Sequence, residues 1–163
     1  MRAVLEKSLP RAGFFFWLHS NLMPQITTVT LRVRYAETDQ MGVVYHSNYF
    51  IWFEMGRVEF LRQLGFEYKQ MEIDDDCHLP VVEATCRYKA PARYDELLTV
   101  ETRVVALRSS VIKFAYRLLR TNGEEAAFQL LAEAETTHVV VNGKMQKRSL
   151  SEKYSASIQA SML

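Results

Sequence analysis

The chain has 163 residues, of which 48% are hydrophobic, 24% charged and 12% aromatic, a composition that closes one core and rules out disorder as the main state. Twenty Lys and Arg stand against nineteen Asp and Glu, a formal net charge of +1, with no basic block that would track a phosphate backbone, which argues against general nucleic-acid binding. No apolar run reaches the roughly 18 residues of a transmembrane helix. Cys77 and Cys86 form neither a C-x-x-C pair nor a disulfide framework, so the expectation is reduced thiols and a cytoplasmic protein.

Residues 1–22 read as an extension of uncertain status. Arg2, Lys7 and Arg11 precede the apolar group Phe14, Phe15, Phe16, Trp17 and Leu18, but that group is short and no small-x-small cleavage site follows it. An upstream translation start is preferred over a membrane-touching segment or a vestigial leader, and residues 23–163, from the second methionine Met23, are expected to form a single domain.

In chain order, TVTLRVRY over 28–35 alternates, placing Val29, Leu31, Val33 and Tyr35 on one side of a half-buried strand. The polar, Gly-punctuated stretch that follows is a turn. From Ser47 to Leu64, Tyr49, Phe53, Gly56, Phe60 and Leu64 recur every three or four positions, which predicts a long helix with Ser47 as N-cap and Gly65 as C-terminal stop. Glu54 and Arg57 stand at ion-pair spacing on it. An acidic connector at Asp74, Asp75 and Asp76 leads to strands near 79–89, 96–107, 110–120 and 126–141, with turn signals at 90–92, 108–110 and Asn122-Gly123. Their short connectors predict antiparallel neighbours, and the tail over 149–159 predicts a short helix. One strand, one long helix and four further strands give an α+β layer in which a twisted antiparallel sheet of about five strands wraps the helix.

The segment YAETDQMGVVYHSNY from Tyr35 to Tyr49, together with Phe53, Glu54, Arg57, Glu59, Phe60, Leu61 and Arg62 and then YKAPARYDE from Tyr88 to Glu96, resembles the 4-hydroxybenzoyl-CoA thioesterase family. The likeness is closest to the bacterial acyl-CoA thioesterases linked to Tol-Pal genes. It runs in order and spacing through most of residues 28–145. The resemblance implies the hotdog fold and hydrolysis of an acyl-CoA thioester, with CoA as part of the substrate and no separate cofactor or metal.

The resemblance also assigns roles. The aspartate of its T-D-x-x-G segment, the catalytic carboxylate, falls on Asp39. A carboxylate there can attack the thioester carbonyl directly or deprotonate the water that does. The helix N-terminal amide that polarises the carbonyl falls on His46, and the unpaired N–H groups and positive dipole end of any helix N-terminus suit that task. The His46 imidazole either assists or merely caps, and Asp39 taken alone reads equally as a turn residue whose side chain bonds nearby amides. Tyr45 reads as pocket wall and Val81 and Val82 as acyl contacts. Lys89 and Arg93, with the turn Arg108, Ser109 and Ser110, are candidates for the CoA phosphates and pantetheine, while Glu54, Glu59 and the Asp74–Asp76 run read as surface charge.

A single wrapped sheet leaves edges to cover, and hotdog relatives pair as dimers or tetramers, so at least a homodimer is expected. Two further readings stand beside the thioesterase: a hotdog acyl-CoA hydratase or dehydratase, which needs an acid/base pair that Asp39 and His46 only superficially supply, and an acyl-CoA-binding module without turnover.

Overall fold

A computed structural model describes residues 25–122 and 127–162, so the extension 1–22 and the turn at Gly123 lie outside the described residues. The elements are β1 (Thr27–Arg32), α1 (Asn48–Gln63), α2 (Tyr68–Asp74), β2 (Val81–Tyr88), β3 (Leu97–Arg108), β4 (Val111–Asn122), β5 (Ala127–Val139) and α3 (Glu152–Ala160). The five strands form one antiparallel sheet in the order β1-β3-β4-β5-β2. This is the predicted α+β hotdog arrangement, and α1 packs on the β1, β3 and β4 side of the sheet.

Local chemistry explains most boundaries. α1 ends in a Schellman arrangement: Gly65 takes φ +85°, its N–H donates to Arg62 O at 2.9 Å, and Phe66 N–H donates to Leu61 O at 2.9 Å. At the other end the expected cap is absent, for Ser47 has helical φ/ψ and its hydroxyl makes no capping bond. β1 stops three residues before its alternation does. Val33 still pairs, donating to Glu96 O and accepting from Asp95 N–H, but Tyr35 opens a 3-10 turn through Glu37 and is exposed rather than on the buried side. α2 was hidden in the sequence by its seven-residue length and its uncapped start at Glu67.

The principal departure concerns the link at 89–96. Short connectors predicted neighbours, yet this one joins β2 and β3, which are separated by β4 and β5. The link therefore crosses the end of the sheet, where Ala92, fully buried, accepts from Val44 N–H at 2.8 Å and donates to the Tyr49 hydroxyl at 3.2 Å. The crossover thus runs against the segment that enters α1.

In the core, Phe53 stacks on Tyr116 at 4.9 Å and Phe60 meets Phe114 edge-on at 5.9 Å. Gly56 sets how closely the helix lies on the sheet, because a Cβ there would stand 2.3 Å from Thr102 Oγ1 and 3.0 Å from Val100 Cγ1. Beside this core runs a buried polar relay. His138 Nδ1 lies 2.9 Å from Leu79 O and Nε2 lies 2.8 Å from Thr136 Oγ1, which in turn is 2.8 Å from the Tyr116 hydroxyl. A carbonyl can only accept, so Nδ1 carries the proton, Nε2 accepts from Thr136, and Thr136 accepts from Tyr116.

Burial pulls the His138 pKa from 6.5 down to about 4, against the Leu79 hydrogen bond and with the Arg57 charge assisting. The unfolded chain therefore binds this proton first as pH falls, and stability drains away between about pH 6.5 and 4, by roughly 3 kcal/mol in all. Urea unfolding at pH 7.5, 5.5 and 4.5 is expected to show that loss in the parent chain and a clearly flatter dependence over the same window in His138→Gln.

Candidate active site at the mouth of the long helix

The residues between β1 and α1 form a small closed loop. Thr38 and Val44 make an isolated antiparallel bridge, Asp39 N–H donates to Val43 O at 2.9 Å, and Gly42 N–H donates to Asp39 O at 3.0 Å. Gly42 holds φ +72° with nothing near its missing Cβ, so backbone conformation rather than space requires glycine there. Asp39 is half-buried, and its Oδ1 accepts from Met41 N–H at 2.8 Å. Both readings of Asp39 hold at once: the side chain forms an Asx turn, and that turn fixes it while Oδ2 has no partner among the described residues.

One buried carboxylate organises the loop. Glu37 is 4% exposed. Its carboxylate accepts from Arg34 N–H at 2.7 Å, Arg34 Nη2 at 2.7 Å and the Trp52 indole N–H at 3.1 Å. Its carbonyl accepts from Tyr45 N–H at 2.9 Å and Asn48 Nδ2 at 2.8 Å. The segment 45–48 is thus pinned on both sides of His46, whose carbonyl accepts from the Tyr88 hydroxyl at 3.1 Å. Among the described residues, the amides of His46 and Ser47 have no acceptor. Two free N–H groups at the start of a 16-residue helix form a pocket of positive potential that can receive an anionic oxygen.

Glu37 was not found in the sequence, since a Glu in a polar turn reads as solvated. Burial drives its pKa upward, but the side-chain and backbone bonds from Arg34, the Trp52 bond and the Arg34 charge outweigh burial and hold it below 4.5. Arg57, which the sequence places only at ion-pair spacing from Glu54, is a second such case. Its guanidinium is buried, its Nη2 stands 4.0 Å from the largely solvated Glu54 carboxylate, and it lies over the Tyr68 ring at 5.3 Å.

The other sequence candidates divide by position. Tyr45 is exposed, with its ring 4.3 Å from the His46 imidazole. Arg93 reaches the loop, with Nη1 3.5 Å from Gly42 O, and Lys89 pairs with Glu133 at 3.5 Å. Val81 and Val82 open β2 at its far end from Tyr88, both exposed, and Val81 lines a cavity of about 320 Å³ between α1 and the sheet. Arg108, Ser109 and Ser110 lie at the end of β3 opposite Leu97 and are tied to the C-terminal segment, with Ser110 O accepting from Val140 N–H and Ser109 O from Leu150 N–H. One protomer therefore does not bring them to Asp39 and His46. The whole of β2 is left open, with seven of its eight residues exposed.

A strand, a glycine turn bearing an aspartate, and a helix that opens on free amides define the hotdog thioesterase architecture. Residues 33–158 match the model of the thioesterase-like superfamily, and the chain belongs to that family. It is 36% identical over 121 residues to the acyl-CoA thioester hydrolase YbgC of Escherichia coli, a match covering 74% of this chain and 86% of the relative. The crystal structure of TT1821 from Thermus thermophilus superposes with a TM-score of 0.76 at 36% identity, covering 85% of this chain and 99% of that one. The 4-hydroxybenzoyl CoA thioesterase of a Pseudomonas strain shares the fold, with a TM-score of 0.73 at 20% identity over 81% of this chain and 98% of that one.

A carboxyl held low in the folded state contributes stability that is present above its ordinary pKa and lost as pH falls through the folded value. Glu37→Gln cannot accept from all three donors, so it is expected to lose about 2 kcal/mol at pH 7. Acid titration below pH 4.5 is expected to cost the variant less than the parent chain, which chemical denaturation measured across pH will show.

Proposed function

We propose that this chain hydrolyses the thioester of an acyl-CoA to a free acid and CoA, with Asp39 as nucleophile or general base and the His46 amide as oxyanion donor. The observation that carries this reading is the unpaired His46 N–H, held in place by Glu37 and Tyr88 beside a loop that fixes Asp39 with one oxygen free. As the carbonyl is attacked, charge grows on its oxygen facing the helix mouth, where a well-placed donor is worth about 3 kcal/mol of barrier. The departing thiolate has an ordinary pKa of about 8.5 and needs no strong acid. One carboxylate and one amide pocket suffice. The relationship to YbgC, an acyl-CoA thioester hydrolase by name, supports the same conclusion, and the free thiols of Cys77 and Cys86 accord with a cytoplasmic protein.

The acting form is at least a homodimer paired through β2. Among the described residues that strand has one neighbour, β5, and it presents Val81, Val82 and Tyr88 outward, with Ile51 and Met55 of α1 also exposed. Antiparallel pairing of β2 with its copy sets the Tyr88 end of one protomer, and with it His46, beside the Val81 end of the other. The Arg108–Ser110 turn stands at that end, since Val111 and Val139 pair there. The turn then serves CoA bound at the partner's helix mouth, with Lys89 and Arg93 contributed by the chain that holds Asp39. Residues 23–163 form the single domain that carries this function.

Asp39→Asn is expected to lower thiol release from acyl-CoA by at least about 100-fold while the unfolding transition stays cooperative. Turnover within a factor of about two of the parent would remove Asp39 from the chemistry. Light scattering of the intact protein is expected to give at least twice the 18.9 kDa chain mass, and a stable, active monomer would overturn the paired site.

A further inference from the structure

The cavity beside α1 is polar at one end. It lies where α1 leaves the β5–β2 half of the sheet uncovered. Phe50, Ile51, Val81 and Ala84 form its walls, the Glu54 carboxylate also lines it, and Arg57 is the lining residue farthest along α1 from the mouth. Phe50, Phe53 and Arg57 follow one another at helical spacings of three and four residues, so they share one face of α1, and His46 stands four residues before Phe50, just ahead of the helix. β2 runs alongside from Tyr88, bonded to the His46 carbonyl, to Val81 in the cavity. The cavity is lined from Phe50 to Arg57 along α1, and a trough continued from it along this face would open at the helix mouth, with Arg57 at its other end.

Arg57 is the unsatisfied group in this trough. Its side chain is 8% exposed, Nη1 is buried with no hydrogen-bond partner among the described residues, and Glu54, at 4.0 Å, leaves 65% of its own side chain in solvent. The Tyr68 ring, 5.3 Å away, and Glu54 offset part of the cost, but a buried guanidinium N–H without an acceptor stays costly unless something arrives to take it. The relay that shares the cavity cannot, because Tyr116 donates to Thr136, Thr136 to His138 and His138 to Leu79 O. The depressed pKa of His138 leaves it neutral near pH 7, so among the described lining residues Arg57 is the sole cation.

We infer that Arg57 selects the acyl group: the trough takes a chain that ends in a carboxylate, received by the guanidinium at its far end. The inference rests on the thioesterase reading and names its substrate class as the CoA monothioester of a dicarboxylic acid. Arg57 lies eleven residues beyond His46, about 16 Å at 1.5 Å per residue, and its side chain leans back toward the mouth, leaving room for an acyl chain of about eight carbons.

The test compares thiol release from octanoyl-CoA with release from the CoA monothioester of octanedioic acid, using the full-length protein. The parent chain is expected to favour the carboxylate-ended substrate by about tenfold or more in kcat/KM, the return from one charge-assisted bond pair. In Arg57→Met that ratio is expected to fall to about one, with Arg57→Lys keeping part of it. A parent ratio of one or less, or a Met variant that keeps the preference, overturns the assignment. Calorimetry with octanedioate and octanoate decides the matter without turnover or variants: tighter binding of octanedioate supports the assignment, and equal binding defeats it. Absence of thiol release from both esters defeats the thioesterase reading separately, since the calorimetric comparison still judges the trough.

Discussion

Everything at the helix mouth depends on one buried carboxylate. Glu37 meets two backbone–side-chain demands at once, taking three donors on its carboxylate and two on its carbonyl. The first set fastens the turn to Trp52 in the body of α1. The second fastens Tyr45 and Asn48, the residues flanking the free amides. A donor array stabilises developing charge only if it does not have to reorganise when that charge appears, and here the rigidity comes from a residue buried away from solvent.

The second constraint is the unfinished edge. Among the described residues β2 presents an exposed face on both sides and an unpaired rim on one, a state that folded proteins ordinarily cover. The crossover at 89–96 explains how this arises. By carrying the chain across the sheet end instead of into a hairpin, it leaves β2 at the rim and brings Ala92 under the helix mouth. The same few residues thus create the open edge and buttress the loop that holds Asp39.

Sequence alone made legible what depends on periodicity and on local backbone requirements. The long helix and its glycine stop, the hairpins from β3 to β5 and the Asp39 loop all follow from residues close together in the chain. What it hid were contacts decided by distant partners. Glu37 and Arg57 are charged and read as solvated until Trp52 and Tyr68 are placed over them. Tyr35 continues an alternation that the 3-10 turn interrupts. The strand order escaped because a connector's length limits its reach without naming its destination. Arg108, Ser109 and Ser110 sit far from Asp39 in the same chain, a separation that no spacing rule reports.

Gly56 shows how far the geometry of the mouth extends. The helix rests directly on Thr102 and Val100 at this glycine, ten residues, or about 15 Å, from His46. α1 therefore behaves as a lever with its fulcrum under Gly56. Any side chain added at the fulcrum lifts the rod, and a tilt of a few degrees swings the far tip by about an ångström, more than the roughly half-ångström tolerance of a preorganised site. The smallest residue in the helix acts as a spacer, setting the alignment of a tip it never touches.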